Sequence, residues 1–289
     1  MTTAVNNRIR ELIAHAYRAA PAITRILDAA GVHPSDIQSA DDLVRLPVTS
    51  KDDLVRMHEA DPPFGGFLAV EADTLPRIYI SPGPIFDPQP VNPDATEGAL
   101  AAFRSVGFGR GDRVLNTFTY HLVPAGMLVD EALRLCEATV IPSGPGNTDL
   151  QIQVMRALKV SGFVGQPSYL MTILDRCEEM GLTKDDVTIK KALFSAEPYT
   201  PAQQARFEGD YGMRTTSAYA TADVGFIGFT RPGVQGFCIL DSLYLEIVDP
   251  KTGELVPPGE PGEIVVTSFN TSYPLIRFGT GDLGALAAQ

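Results

Sequence analysis

The sequence has few basic residues for its size. Its 289 residues include 23 lysines and arginines against 35 aspartates and glutamates, giving a formal charge of −12 and an isoelectric point near 4.7. This charge repels phosphate backbones and anionic lipid, and the sequence has no local cluster of basic residues. We therefore expect neither a nucleic-acid partner nor a membrane partner.

Cysteine is also scarce. The three cysteines, Cys136, Cys177 and Cys238, lie far apart, have no Cys-x-x-Cys or Cys-x-x-His spacing, and predict reduced core thiols. Residues 1–21 mix charged and apolar residues at helical spacing, a pattern of neither a signal peptide nor a membrane span. We expect a cytoplasmic protein.

What the sequence does contain is enough apolar residues for a substantial core, at 44% hydrophobic and 20% charged. Apolar residues from Val5 to Ala16 recur every three or four residues and predict an amphipathic helix, which Pro21 interrupts. The segment 46–54 predicts a turn and then a helix with a Thr or Ser N-cap. From 61 to 93, prolines and glycines predict mainly loop, with one strand candidate at 75–80.

From residue 94 onward, helix and strand patterns alternate. Helices are predicted at about 94–106, 124–136, 150–160, 168–180 and 201–208, and strands at 113–118, 138–141, 162–164, 191–194 and 214–219. The alternation predicts an α/β fold with a mainly parallel sheet flanked by helices, in which ligands bind at the carboxyl ends of the strands.

After Gly225 the pattern changes to short strands, such as 243–248 and 263–267, separated by turns rich in proline and glycine. These predict a small antiparallel or β-barrel-like subdomain. We therefore divide the chain into a helical lead-in (1–75), an α/β core (76–224) and a small β subdomain (225–289).

Three polar loops that follow predicted strands are candidates for chemistry. The first is Ser195-Ala196-Glu197-Pro198, where small residues expose backbone amides and a carboxylate at the ligand-binding edge of the sheet. The same residues also fit an ordinary strand-to-helix turn, with Thr200 as N-cap and Pro201 in the first helical position.

The second loop is Tyr219-Ala220-Thr221-Ala222-Asp223, in which a strand ends in small residues, a hydroxyl and a carboxylate. Mg²⁺ needs oxygen ligands and is usually shared with substrate phosphates, so Asp223 with Thr221 could suffice. The alternative is that Asp223 only caps a turn.

The third loop runs from Arg277 to Asp282, and its two glycines permit a tight turn that projects the Asp282 carboxylate. A carboxylate can bind both hydroxyls of a ribose. The pattern alone favours a turn without a ligand, because Gly-Asp is common in turns.

Taken in order, these loops resemble the segments of the adenylate-forming superfamily, and within it the phenylacetate-CoA ligase branch. The resemblance covers essentially all 289 residues. Further similar segments are 46–54, 63–65, 107–114, 138–142, 146–148 with Gln151 and Ile152, and 166–169.

The resemblance implies a two-step reaction in which a carboxylic acid and ATP form an acyl-adenylate, from which CoA displaces AMP. It implies that the loop at 195–198 lies against the adenine, that Tyr219 stacks on it with Ala220 beside it, and that Thr221 contacts the α-phosphate. Asp223 would be the Mg²⁺ ligand in place of the family's glutamate. Asp282 would hold the ribose, with Arg277 in the same segment.

The resemblance also places the acid pocket near Phe118, Tyr120, His121, Ser195 and Ala196. A lone histidine such as His121 is as often a structural hydrogen-bonding group as a ligand. A homodimer is possible for this branch.

The sequence departs from the family in the phosphate loop. The corresponding stretch, 79–88, contains prolines, which remove amide donors, and Asp87, which adds a negative charge; only Ser81 and Gly83 resemble the family pattern. The resemblance further implies that the sequence stops near the family's hinge, without the mobile C-terminal domain and its lysine. We expect normal thioesterification to be lost in this chain.

Three functional hypotheses follow. The first is the acid-binding and ATP-binding domain of an acid-CoA ligase. The second is a catalytically impaired relative that binds AMP, an adenylate or a carboxylate without turnover, and the degenerate loop at 81–88 favours it. The third is an interaction protein that kept only the fold and binds no adenine nucleotide.

Overall fold

The computed structural model describes residues 3–81, 85–89 and 94–287 of the chain. They form two compact units, which we call the terminal unit (Met1–Ala95 with Asp241–Gln289) and the central unit (Thr96–Leu240). The helices are α1 (Thr3–Ala19), α2 (Pro21–Ala29), α3 (Lys51–Ala60), α4 (Asp94–Val106), α5 (Ala125–Leu135), α6 (Thr148–Ala157), α7 (Pro167–Glu179) and α8 (Pro201–Gln204), which continues as a π-helical segment, Ala205–Asp210.

The strands are β1 (Ile78–Ser81), β2 (Ile85–Pro88), β3 (Arg113–Asn116), β4 (Thr139–Pro142), β5 (Gly162–Gly165), β6 (Lys191–Phe194), β7 (Arg214–Thr221), β8 (Gly225–Thr230), β9 (Phe237–Ile239), β10 (Leu243–Val248), β11 (Gly262–Ser268) and β12 (Phe278–Gly284). No helix in the described part of the chain is both long and apolar enough to span a membrane.

The central unit is built on one seven-stranded sheet with the order β4-β3-β5-β6-β7-β8-β9. Strands β4 to β7 in this order pair in parallel, whereas β8 and β9 add antiparallel at the edge. The predicted α/β fold with a mainly parallel sheet is confirmed. The change of pattern after Gly225 reflects the two antiparallel strands that extend this sheet, and the small sheet begins only at Leu243.

Alternating strand residues cover the two faces of the sheet. Val114, Val164 and Leu193 pack into one apolar cluster with residues of α4 and α5. Their chain neighbours Leu115 and Phe163 pack into a second cluster with residues of α6 and α7. This period of two is that of strands buried on both faces, which explains why the strands read as continuous apolar runs.

The terminal unit has a helical layer and two small sheets. Helix α1 buries one face, as its spacing predicts, through Ile9, Leu12, Ile13 and Ala16. Helix α3 starts at the predicted cap, because the Ser50 hydroxyl accepts a hydrogen bond from the Asp53 amide. Strands β1 and β2 form an antiparallel hairpin, and β10, β11 and β12 form a three-stranded antiparallel sheet.

Candidate functional site

The carboxyl ends of β3, β5, β6 and β7 lie side by side along one edge of the central sheet, because these strands are parallel neighbours. The chain adds β4 on one side of β3 and then β5 on the other. Such a switch point leaves a crevice where ligands bind in α/β proteins. The structure therefore brings the predicted residues Phe118 to His121, Ser195 to Pro198 and Tyr219 to Asp223 to one edge.

The turn after β6 has an unusual backbone. The Ser195 amide donates to the carbonyl of Gly165 on the neighbouring strand at 3.2 Å. The next residue, Ala196, has φ +73°, in the left-handed region that residues with a Cβ rarely adopt. Backbone strain of this kind costs about 1–3 kcal/mol and is found most often at functional sites.

Glu197 caps the helix that starts beside this turn. Its Oε1 accepts from the Ser168 amide at 2.6 Å, and its Oε2 accepts from the Ser168 hydroxyl at 2.9 Å. A carboxylate at the N-terminus of α7 satisfies a free amide and complements the helix dipole. The turn also has the ordinary features considered above, since the Thr200 hydroxyl caps α8 and Pro201 begins it. The predicted contact of this loop with adenine stays a prediction.

Residues 222–224 form the tight turn between β7 and β8, and Tyr219 to Thr221 are the last residues of β7. The pairing register of these strands shifts between Tyr219 and Ala220, where β8 contains one extra residue, Ile227, and so forms a bulge opposite the end of β7. The Thr221 hydroxyl accepts a hydrogen bond from the Val224 amide at 3.2 Å and so stabilises the turn. Asp223 lies at its tip with a partly buried side chain. Tyr219 and Thr221 are also partly exposed, at the end of the strand.

The chemistry of this turn fits a magnesium ion shared with a ligand. Within the described ranges, no three His, Cys, Asp or Glu side chains group as a metal site. The Asp223 carboxylate and the Thr221 hydroxyl are hard oxygen ligands, and Mg²⁺ usually takes its remaining ligands from water and phosphate. The turn therefore fits Mg²⁺ only together with a phosphate ligand.

The loop after β3 is organised by buried polar groups. The Asn116 amide nitrogen donates to the Tyr120 hydroxyl at 2.7 Å and to the Gly126 carbonyl at 2.9 Å. The Tyr120 hydroxyl in turn donates to Asp130 at 3.2 Å. Burial, with the negative charge of Asp130 as a smaller cause, raises the pKa of Tyr120. The Tyr120 hydroxyl is thus a neutral donor held within the protein.

The other two residues predicted for the acid pocket differ in exposure. Phe118 is half-buried against the apolar cluster of α4 and α5, and His121 is exposed. Position 126, near these residues in the chain, requires a glycine, because a Cβ there would lie 2.4 Å from the Thr119 carbonyl oxygen. Sequence reasoning missed Asn116, and the available signal was an asparagine at the end of an otherwise apolar strand.

Asp282 belongs to the terminal unit and is exposed on a bulge of β12. The register between β11 and β12 shifts between Glu263 and Val265, so the segment 280–282 bulges out of the ladder. Gly281 has φ +76° and its amide donates to Glu263 Oε1 at 3.1 Å. The Thr280 hydroxyl accepts from the Asp282 amide at 3.2 Å. The predicted projection of the carboxylate thus arises from a strand bulge.

Arg277, predicted in the same segment, is buried in the terminal unit with 1% of its surface exposed. Its guanidinium forms an ion pair with Glu246 at 3.1 Å and donates to the carbonyls of Leu46 at 2.6 Å and Gly253 at 2.8 Å. The group therefore ties β10, the segment before α3 and the start of β12 together. Its nucleotide contact stays a prediction.

The predicted phosphate loop is the β1–β2 hairpin of the terminal unit. Asp87 lies on β2 directly opposite Tyr79, and both are buried. Ser81, at the end of β1, is also buried, with 2% exposed. The predicted remnant Gly83, with Pro82 and Pro84, lies outside the described residues. The effect of Asp87 on phosphate binding stays a prediction.

Comparison with known proteins identifies related enzymes. The family model described as AMP-binding enzyme matches residues 96–272. Phenylacetate-coenzyme A ligase of Aromatoleum evansii is 34% identical over 295 residues, covering 96% of this chain and 65% of that protein. The enzyme of the same name from Pseudomonas putida is 30% identical, with the same coverage. The chain therefore spans about 65% of the length of these relatives.

Two solved structures resemble the whole chain. An open conformation of 2-hydroxyisobutyryl-CoA ligase in complex with 2-HIB-AMP and CoA has a TM-score of 0.90 and 26% identity, covering 99% of this chain and 70% of that one. The same ligase in the postadenylation state with 2-HIB-AMP has a TM-score of 0.88 and 27% identity, covering 99% and 63%.

Proposed function

The chain belongs to the AMP-binding enzyme family, and we propose that it binds a carboxylic acid and ATP and forms an acyl-adenylate for transfer to CoA. The observation that carries this proposal is the match of 99% of the chain, at a TM-score of 0.90, to a ligase crystallised with its acyl-adenylate and CoA. The relatives that are phenylacetate-CoA ligases favour an aryl or acyl acid as substrate.

In the first step, a carboxylate oxygen of the acid attacks the α-phosphorus of ATP, and the bond to the β-phosphate breaks to release pyrophosphate. In the second, the CoA sulfur attacks the acyl carbon, AMP leaves and the thiol proton is lost. Chemistry of this kind is accelerated mainly by positioning and charge neutralisation.

The residues of the central unit have distinct roles in this proposal. The Tyr219 ring stacks on the adenine, and the Thr221 hydroxyl donates to the α-phosphate. Asp223 would hold Mg²⁺, which supplies neutralisation of phosphate charge when bound. Phe118 and the segment around Tyr120 contact the acid, and because the Tyr120 hydroxyl is held by Asn116 and Asp130, it orders the loop rather than carrying a proton.

One further role belongs to the terminal unit, and the other proposals concern localisation, partners and domain division. Asp282 accepts hydrogen bonds from the ribose hydroxyls. The negative charge and the reduced cysteines support a cytoplasmic protein with no nucleic-acid or membrane partner. The homodimer and the division at residues 75 and 224 are proposed on the resemblance and the sequence pattern.

The second function, binding without turnover, is proposed on the sequence of the predicted phosphate loop. The stretch 79–88 contains prolines, which remove amide donors, and the acidic residue Asp87. Weaker binding of the β- and γ-phosphates would leave AMP binding unaffected. A relative with this defect would bind AMP or an adenylate and turn over ATP poorly.

The test is calorimetric titration of the chain with AMP and with Mg²⁺-ATP, each with and without phenylacetate, together with an assay of pyrophosphate release. The ligase proposal expects both nucleotides to bind and pyrophosphate to be released in the presence of an acid. AMP binding without ATP binding or pyrophosphate release would favour the impaired relative. The absence of any nucleotide binding would refute both.

A further inference from the structure

An exposed aromatic ring lies beside Tyr219 on the outermost strand of the central sheet. Phe237 begins β9 and has 45% of its surface exposed. Its ring centroid lies 6.0 Å from that of Tyr219, with the two planes at 51°. Nothing in the proposed function so far gives Phe237 a role.

The sheet is built so that these two rings can meet. Strand β8 lies between β7 and β9, and the residue of β8 that pairs with Tyr219 is Gly228. A Cβ at Gly228 would lie 3.3 Å from the Cβ of Phe237 and 2.9 Å from the carbonyl oxygen of Cys238. Any larger residue at this position would separate the two rings or push β9 away. The glycine therefore permits an aromatic contact across a whole strand.

The contact matters because of where Tyr219 lies. The pairing of β7 with β8 becomes irregular directly after Tyr219, because β8 contains one extra residue there, Ile227, so the ladder holds Tyr219 less firmly than the residues before it. A ring that stacks on a purine must keep a fixed plane, and a neighbouring tilted ring limits its rotation. Phe237 supplies this neighbour from the open edge of the sheet.

We propose that Phe237 is a positioning residue for adenine recognition, which fixes the plane of the Tyr219 ring through their contact across Gly228. This inference rests on the proposed function, because it needs an adenine nucleotide on Tyr219. It adds a residue from the edge strand, outside the segment 219–223, to the base-binding part of the site.

The matched variants are Phe237→Leu, which keeps an apolar side chain without a ring, and Phe237→Tyr, which keeps the ring. An aromatic pair contributes enough free energy that its loss should weaken AMP binding by about 2- to 10-fold in Phe237→Leu. Phe237→Tyr should bind AMP as the unmodified chain does. Val234→Ala, which removes another exposed apolar side chain shortly before this strand, should also leave AMP affinity unchanged.

A purely structural role for Phe237 predicts that leucine serves as well as tyrosine, and thermal unfolding checks that all variants are folded. The chain has no tryptophan, so Phe237→Trp adds a single fluorescent reporter at this position. Its emission should change on saturation with AMP.

The outcomes separate this inference from the proposed function. Failure of the unmodified chain to bind AMP would overturn both together. AMP binding that is equal in the unmodified chain and Phe237→Leu, or equally weak in Phe237→Leu and Phe237→Tyr, would overturn the role of Phe237 alone. An emission of Phe237→Trp that ignores bound AMP would also overturn it.

Discussion

Both carboxylate oxygens of Glu197 are held by one residue, Ser168, through its amide at 2.6 Å and its hydroxyl at 2.9 Å. This pair joins the turn after β6 to the start of α7. The turn contains the left-handed residue Ala196, whose strained backbone must be stabilised by its surroundings. The Glu197 carboxylate thus orders the loop that was predicted to lie against a nucleotide, and it does so by bonding to the protein itself.

Replacing Glu197 should therefore destabilise the chain. We expect Glu197→Ala to lower the free energy of unfolding by about 1–2 kcal/mol, the usual effect of losing a helix cap and its charge. Glu197→Gln should lose less, because one amide oxygen can still accept a bond. Urea denaturation measures both, and a double-mutant cycle with Ser168→Ala isolates the bond from the Ser168 hydroxyl to Oε2. A Glu197→Ala variant as stable as the unmodified chain would contradict the cap.

The ribose assignment predicts an effect of Asp282 on nucleotide affinity. Asp282→Ala should weaken AMP binding by about 1.5–3 kcal/mol, since charge-assisted hydrogen bonds to the ribose hydroxyls are lost. Asp282→Asn is the matched variant that keeps the shape and removes the charge. Calorimetry with 2′,3′-dideoxyadenosine monophosphate supplies the control, because a ligand without hydroxyls should bind the unmodified chain and Asp282→Ala equally. An equal loss for both ligands would place the effect elsewhere.

The metal assignment predicts a different pattern at Asp223. Asp223→Asn should weaken ATP binding in the presence of Mg²⁺ and should leave AMP binding in the absence of Mg²⁺ unchanged, because a neutral amide is a poor ligand for this cation. Asp223→Glu, which carries the residue usual in the family, should retain the Mg²⁺ dependence. Titration of ATP at several Mg²⁺ concentrations measures this, and a Mg²⁺ dependence that persists in Asp223→Asn would exclude the residue as a ligand.

The sequence was sufficient for the order of helices and strands in the central unit. The spacing of apolar residues in runs such as the one ending at Phe194 depends on local interactions alone, and so do the caps of the helices that follow. The three loops could be predicted for the same reason, since each follows directly after a strand.

The functions of individual side chains depend on contacts that are distant in sequence. Arg277 lies in a motif with Asp282, yet its guanidinium is occupied by Glu246, 31 positions away, and by the carbonyl of Leu46, 231 positions away. The bulge that projects Asp282 likewise depends on pairing with β11. Register and burial of this kind arise from the tertiary fold, and no local pattern encodes them.

The buried pair of Arg277 and Glu246 yields a prediction about stability. Removing one partner of a buried ion pair leaves the other charge uncompensated, so Arg277→Met should destabilise the chain by about 3–5 kcal/mol. Arg277→Lys should be intermediate, because a lysine keeps the charge and cannot donate to Glu246, Leu46 and Gly253 at once. Urea denaturation of the three proteins at one pH measures this order.

The loss in Arg277→Met should also depend on pH. Burial raises the pKa of Glu246, and Arg277 opposes that rise, so the variant should have a folded-state pKa still further above the unfolded value of about 4.3. Between these two values the folded state binds the extra proton, so the free energy of unfolding falls as the pH rises. Near pH 4 the carboxyl is largely protonated in both states and the difference from the unmodified chain is smallest.

The control for this pH dependence is the double variant Glu246→Gln with Arg277→Met, which has no buried carboxyl left to titrate. Its free energy of unfolding should vary less between pH 5 and pH 8, roughly the range in which a buried carboxyl titrates, than that of Arg277→Met alone. If the single and double variants lose stability in parallel across this range, the pH dependence arises from another group. The guanidinium of Arg277 then stabilises β12 through the carbonyls of Leu46 and Gly253 rather than through the charge of Glu246.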